Sequence, residues 1–149
     1  MKNYNLNNLI DYTTKLNNHK DYVKVLKQIE NKCAYIEIVL LDERNSNKMV
    51  DYLKDDIILK TIVSKWWQTE TITKNKLFKI KSSKRLFEYL YNLKTFCIYS
   101  ISNDNKEYFE ITDFGYDDIA FFDTNDSILL CTTTHEGYIS VREDLINNS

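Results

Sequence analysis

Residues 107–142 read EYFEITDFGYDDIAFFDTNDSILLCTTTHEGYISVR, and this stretch decides the fold class. It contains the apolar segments EYFEIT (107–112), DIAFFD (118–123), SILLCTTT (127–134) and YISV (138–141), separated by short polar breaks. The segments are rich in β-branched and aromatic residues, which suit a pleated, half-buried surface. In the first, Phe109 and Ile111 alternate with Tyr108, Glu110 and Thr112, the period of a strand with one apolar face. DIAFFD and SILLC are apolar on both faces and are expected at the centre of a sheet. Thr124-Asn125-Asp126 and His135-Glu136-Gly137 are of hairpin length and hold residues that tolerate a positive φ. A preceding strand, FCIYSIS (96–102), joins through Asn103-Asp104-Asn105. The expectation is an antiparallel meander of about five strands, with DFGYD (113–117) as its one long connection.

Upstream of the meander the period changes. Leu6, Leu9, Ile10 and Thr13 share one face of a predicted helix over 5–17, which Asn17-Asn18 breaks. A second helix is predicted over 19–32, with Tyr22, Val25, Leu26, Ile29 and Cys33 as its stripe. AYIEIVLL (34–41) reads as a buried strand. Ser46 is placed to cap a third helix with Met49, Val50, Leu53 and Ile57 inward, and 57–63 fits helix and strand equally. WWQTETIT (66–73) and LFKIK (77–81) suggest a hairpin turning at Lys74-Asn75-Lys76. Ser82 or Ser83 starts a fourth helix striped by Leu86, Tyr89, Leu90 and Leu93, and EDLINNS reads as a short frayed turn. Helices first and strands last indicate a single α+β domain over 1–149, with N-terminal helices on one face of a mainly antiparallel sheet.

Composition sets the class. A hydrophobic content of 43% supports a packed core, and with no proline and 2 glycines the turns must rely on Asn and Asp. No apolar run reaches the ~20 residues of a membrane helix, and MKNYNLNNL lacks the apolar core of a secretory signal. Cys33, Cys97 and Cys131 form no CxxC and lie in or beside apolar segments, as expected of reduced thiols in a cytoplasmic protein. Charge is uneven. Residues 1–94 hold 18 Lys+Arg against 11 Asp+Glu, and residues 95–149 hold 2 against 11.

The motifs that carry chemistry are incomplete. His135-Glu136 opens like HExxH, but position 139 is Ile. Cys131 sits among apolar residues, where a thiol is a poor nucleophile for His135 to activate. Asp117, Asp118, Asp123 and Asp126 are the densest carboxylate group, without the spacing or glycine of a calcium loop. No phosphate-binding glycine loop is present. The chain is therefore expected to be non-enzymatic and to need neither cofactor nor metal.

In general character the sequence is similar to the small, acidic α+β proteins of AT-rich bacteria and their phages, many of which bind and neutralise another protein. What this implies is a protein-binding module of immunity or antitoxin type, an inhibitor whose acidic C-terminal face meets a basic toxin, such as a nuclease. Carboxylates at such a face speed and steer association. The expected contacts are Asp104, Asp113, Asp117, Asp118, Asp123, Asp126 and Glu136, at turns or strand ends, with Tyr108, Tyr116 and Tyr138 as aromatic anchors. The alternative is nucleic-acid binding by 65–94, where Trp66, Trp67 and Phe78 are interleaved with lysines. There, alternation along a strand leaves at most one Trp in the core.

Overall fold

A computed structural model describes Tyr4, Leu6 and residues 8–41, 47–101, 103–111 and 114–147. Its main sheet is antiparallel, in the spatial order β1-β9-β8-β7-β2-β4-β3. The strands are β1 (Leu9–Asp11), β2 (Tyr35–Leu40), β3 (Ile57–Trp66), β4 (Thr69–Lys81), β7 (Asp118–Phe122), β8 (Ile128–Thr133) and β9 (Tyr138–Arg142). A separate pair holds β5 (Cys97–Ile101) and β6 (Glu107–Ile111). The helices are α1 (His19–Glu30), α2 (Lys48–Tyr52), α3 (Lys84–Tyr91) and α4 (Asp144–Asn147). The α+β class read from the sequence holds.

Alternation along β2 sorts the interior into two layers. Ile36, Ile38 and Leu40 face the helices and join Tyr22, Leu26, Ile29, Leu86 and Phe87 in the larger core. Tyr35, Val39 and Leu41 face the other way, into a second cluster with Trp66, Trp67, Leu77, Ala120, Phe122 and Cys131. The helices start where their caps allow. Asn18 Oδ1 accepts from the N–H of Lys20 at 2.9 Å, and Ser83 Oγ accepts from that of Leu86 at 3.1 Å. Asn47 takes the capping role expected of Ser46, which lies outside the described residues, by accepting from Met49 and Val50.

Several expectations are corrected. The helix predicted over 5–17 is instead the short strand β1 followed by a 3-10 turn at Lys15–Asn17. β1 pairs with β9, and the Asp11 carboxylate accepts from both the N–H and the hydroxyl of Thr13. An Asp that bonds its own backbone this way competes with a helix, and the free edge of β9 outweighs a weak propensity. Residues 57–63 are strand. The hairpin turns at Trp67-Gln68, since Trp66 pairs with Thr69, and Lys74-Asn75-Lys76 lies within β4.

The five-strand meander is broken. β7, β8 and β9 follow one another in the sheet, but β2 takes the edge of β7 where β6 was expected. Phe114 is buried against Phe96 at 5.4 Å between ring centroids. The C-terminal segment is not a frayed turn: α4 buries Leu145, and Asp144 meets Arg142 and Lys32. Among the described residues no helix is long and apolar enough to cross a membrane.

Candidate functional site

The acidic residues expected to reach outward divide sharply. Asp117 and Asp118 are 0% exposed, which corrects the expectation that both project from a turn. Asp117 accepts from the Leu41 N–H at 3.1 Å and from Asn47 Nδ2 at 2.8 Å. Asp118 starts β7 on the face of the second cluster. Its Oδ2 accepts from the Trp66 indole at 2.9 Å, and its Oδ1 accepts from the Thr134 N–H at 2.7 Å and the Thr132 hydroxyl at 3.4 Å. Burial raises the Asp118 carboxyl above its ordinary value, although the Thr134 and Trp66 donors and nearby His135 pull it back.

Asp123 is also engaged inside the fold. It receives Arg142 Nη1 at 2.8 Å and the N–H groups of Asn125 and Ser127. Burial acts to raise its carboxyl, but these donors outweigh burial and hold it below its ordinary value. Asp126, in a left-handed turn conformation (φ 60°), is exposed and accepts from the Tyr35 hydroxyl at 2.8 Å. Asp104 and Glu136 are exposed, and Tyr116 and Tyr138 are about half exposed. Asp113 and the side chain of Tyr108 lie outside what is described.

Both tryptophans are buried, contrary to the expectation of one at most. Strand alternation does not apply to them, because Trp66 ends β3 and Trp67 opens the turn. The hairpin tip lies over the second face of the sheet. There the Trp67 indole donates to the Thr132 carbonyl at 2.9 Å, and its ring meets Tyr4 edge-on. Phe78 is buried beneath Lys60, and Lys79 lies over the Tyr35 ring. Neither tryptophan is presented as a stacking platform for bases.

The same hairpin builds a pocket. Val63 pairs with Asn75 while Lys65 pairs with Glu70, so residues 71–74 of β4 bulge out. Asn75 staples the bulge: its Nδ2 donates to Thr71 Oγ1 at 3.2 Å and to the Thr73 carbonyl and hydroxyl at 3.3 Å. The Thr73 carbonyl can only accept, which fixes the orientation of the Asn75 amide. Thr71 adds a bond to the Thr73 carbonyl at 3.0 Å. At the crest, Ile72 is fully exposed.

Between the bulge and the 3-10 turn Thr134–Glu136 lies a pocket of about 230 Å³. It is lined by Leu41, Trp66, Thr71, Thr73, Asn75, Tyr116 and His135. Gly137 takes φ 72° to close the turn that carries His135, and Glu136 Oε1 lies 3.9 Å from His135 Nε2.

Chemically, the pocket offers aromatic walls, hydroxyls and an amide. Cys131 does not line it, and burial pushes that thiol up to about 12. Among the described residues no group of three His, Cys, Asp or Glu is arranged to hold a metal ion. Sequence reading named Tyr116 and His135 but missed Thr71, Ile72, Thr73 and Asn75. The available signal was the every-other-residue run of Thr69, Thr71, Thr73 and Asn75, which marks one polar strand face and which a turn at 74–76 obscures. Comparisons with protein-family models, curated proteins and solved structures return no match for this chain.

Proposed function

We propose that the protein is a non-enzymatic binding module that engages another protein, in the manner of an immunity or antitoxin inhibitor. In this reading its binding surface is the rim of the bulge and its pocket. The carrying observation is Ile72, an isoleucine held fully in water at the crest of a bulge fixed by Asn75. A large apolar side chain on a pre-ordered backbone loses little entropy on docking, and anchors of this kind dominate interface energies. Tyr116 beside the pocket supplies an aromatic neighbour, and Glu136 retains the acidic character that steers a basic partner. Asp117, Asp118 and Asp123 then serve the scaffold, and the interface acid is Glu136, because Asp126 bonds Tyr35 at the end of β2 away from the pocket.

Affinity capture from the source cells tests this with two charge insertions. Ile72→Asp is expected to abolish stoichiometric retention of the partner. Ile58→Asp, on the outer strand β3, is expected to leave it intact. Retention unchanged by Ile72→Asp, in a variant with an unaltered unfolding midpoint, removes the bulge as the interface.

A further inference from the structure

The pocket behind Ile72 has its own chemistry, and it is complementary to a cation. We propose that it seats a lysine or arginine side chain of the protein partner, a specification that rests on the binding reading above. Three features support this. The first is an acceptor. All the hydrogen bonds of the Asn75 side chain run through Nδ2 into the bulge, and Oδ1 accepts from no donor among the described residues. Asn75 lines the pocket, so its carbonyl oxygen is left for an incoming N–H. The second is the aromatic wall. Trp66 and Tyr116 line the same space; Trp66 is buried, so the ring open to a guest is the half-exposed Tyr116, and cations are attracted to such ring faces.

The third is the local charge. The exposed Glu136 follows His135 at the rim, its Oε1 3.9 Å from His135 Nε2. Among the described residues the lining includes no lysine or arginine to repel the guest. Lys76 falls between Asn75 and Leu77, so the pleat sends it to the opposite face. A guanidinium suits the site well, because it stacks on a ring while its N–H fork meets a carbonyl and a hydroxyl together.

The test uses the intact protein and small probes. N-acetyl-arginine methylamide and N-acetyl-lysine methylamide are titrated while the indole N–H resonance of Trp66 is followed. The neutral isosteres N-acetyl-citrulline methylamide and N-acetyl-norleucine methylamide serve as controls. The expected result is a saturable shift with at least one cationic probe and none with the neutral pair. Tyr116→Leu should weaken the cationic probe about two- to five-fold, the size of an exposed cation–π contact. Ile58→Ser, on the outer strand, should leave probe binding unchanged. Equal binding of citrulline or norleucine, or no saturable shift with either cation up to its solubility limit, overturns the proposal. If the probes fail while partner capture still depends on Ile72, only the cation pocket falls. If probes bind but capture ignores Ile72, the bulge interface falls and the pocket stands.

Discussion

Trp66 and Asp118 stand 52 residues apart in the chain and meet in the interior, the indole N–H donating to the carboxylate at 2.9 Å. The contact ties the tip of the β3–β4 hairpin to the first residue of β7. It satisfies a carboxylate that would otherwise be desolvated without recompense. Trp66→Phe keeps a ring but removes the donor. The expected loss is about 2 kcal/mol of unfolding free energy, the cost of stranding a buried charged acceptor, read from the shift of a urea midpoint. A loss no larger than that of Trp67→Phe, whose lost bond goes to a neutral carbonyl, would contradict the special role of the pair.

The same carboxyl makes stability depend on pH in a defined direction. Burial raises the Asp118 value above the ordinary 3.8, so the folded chain holds this proton more firmly than the unfolded chain. Its contribution is therefore fully present below the ordinary value and is lost as pH rises through the raised one. Wild type should therefore gain stability relative to Asp118→Asn over that interval as pH falls. Parallel stability curves in mildly acidic urea titrations would show that Asp118 is not shifted upward.

Arg142 produces the opposite slope. It lies 2.6 Å from Asp144 and 2.8 Å from Asp123, and so pins the start of α4 to the turn after β7. The Arg142 hydrogen bond leads the effects that hold the Asp144 carboxyl at about 2, well below its ordinary value. A depressed carboxyl contributes stability above the unfolded value, and that stability is lost as pH falls toward about 2. Arg142→Leu should release α4 first, seen as faster amide exchange at Leu145 and Ile146. It should also flatten the acid limb of the stability curve. Exchange at α4 indistinguishable from wild type would remove the clamp.

How much of this was legible in the residues follows from where the information lies. The periods of Tyr22, Val25, Leu26 and Ile29, and of Leu86 and Leu90, are local, and these residues are buried on α1 and α3. Strand identity was local too, but strand order was not. Nothing in AYIEIVLL says that it inserts beside DIAFFD, since pairing is a long-range choice made by both partners. The site was harder still. A bulge is one strand's register failing against another, and Asn75 looked like a turn residue because its partners, Thr71 and Thr73, matter only once the strand has doubled back. Asp117 and Asp118 misled for a related reason. Their type predicts exposure, and donors from distant segments, the Trp66 indole and the Asn47 amide among them, make burial tolerable.

The three thiols should differ in reactivity by burial alone. All are free; Cys97 and Cys131 are fully buried, while Cys33 is partly open. Burial pushes the first two up to about 12 and Cys33 to about 11. Titration of native protein with a chromogenic disulfide should modify Cys33 first and slowly. Cys97 and Cys131 should react only when denaturant is added; rapid native-state modification of Cys97 would refute the packing of the larger core, and of Cys131 that of the second cluster.

Asn75 should separate stability from function more cleanly than any residue of the core. Asn75→Ala removes three donor contacts and leaves the Thr71 and Thr73 hydroxyls and the Thr73 carbonyl to water, which the edge position of the bulge admits. The stability cost should therefore be modest, about 1 kcal/mol. The ordering of 71–74 should suffer far more, because the side-chain bonds that remain among the described residues are those of Thr71 to Ser64 and Thr73 and of the Thr73 hydroxyl to Thr71. Hydrogen exchange across 71–74 should rise several-fold while exchange in β2 and β7 stays as in wild type. If Ile72 works as a pre-ordered anchor, partner affinity should fall along with that ordering even though Ile72 itself is untouched. Unchanged affinity with a loosened bulge would mean that the partner orders Ile72 for itself, and pre-organisation would have to be abandoned as the source of binding energy.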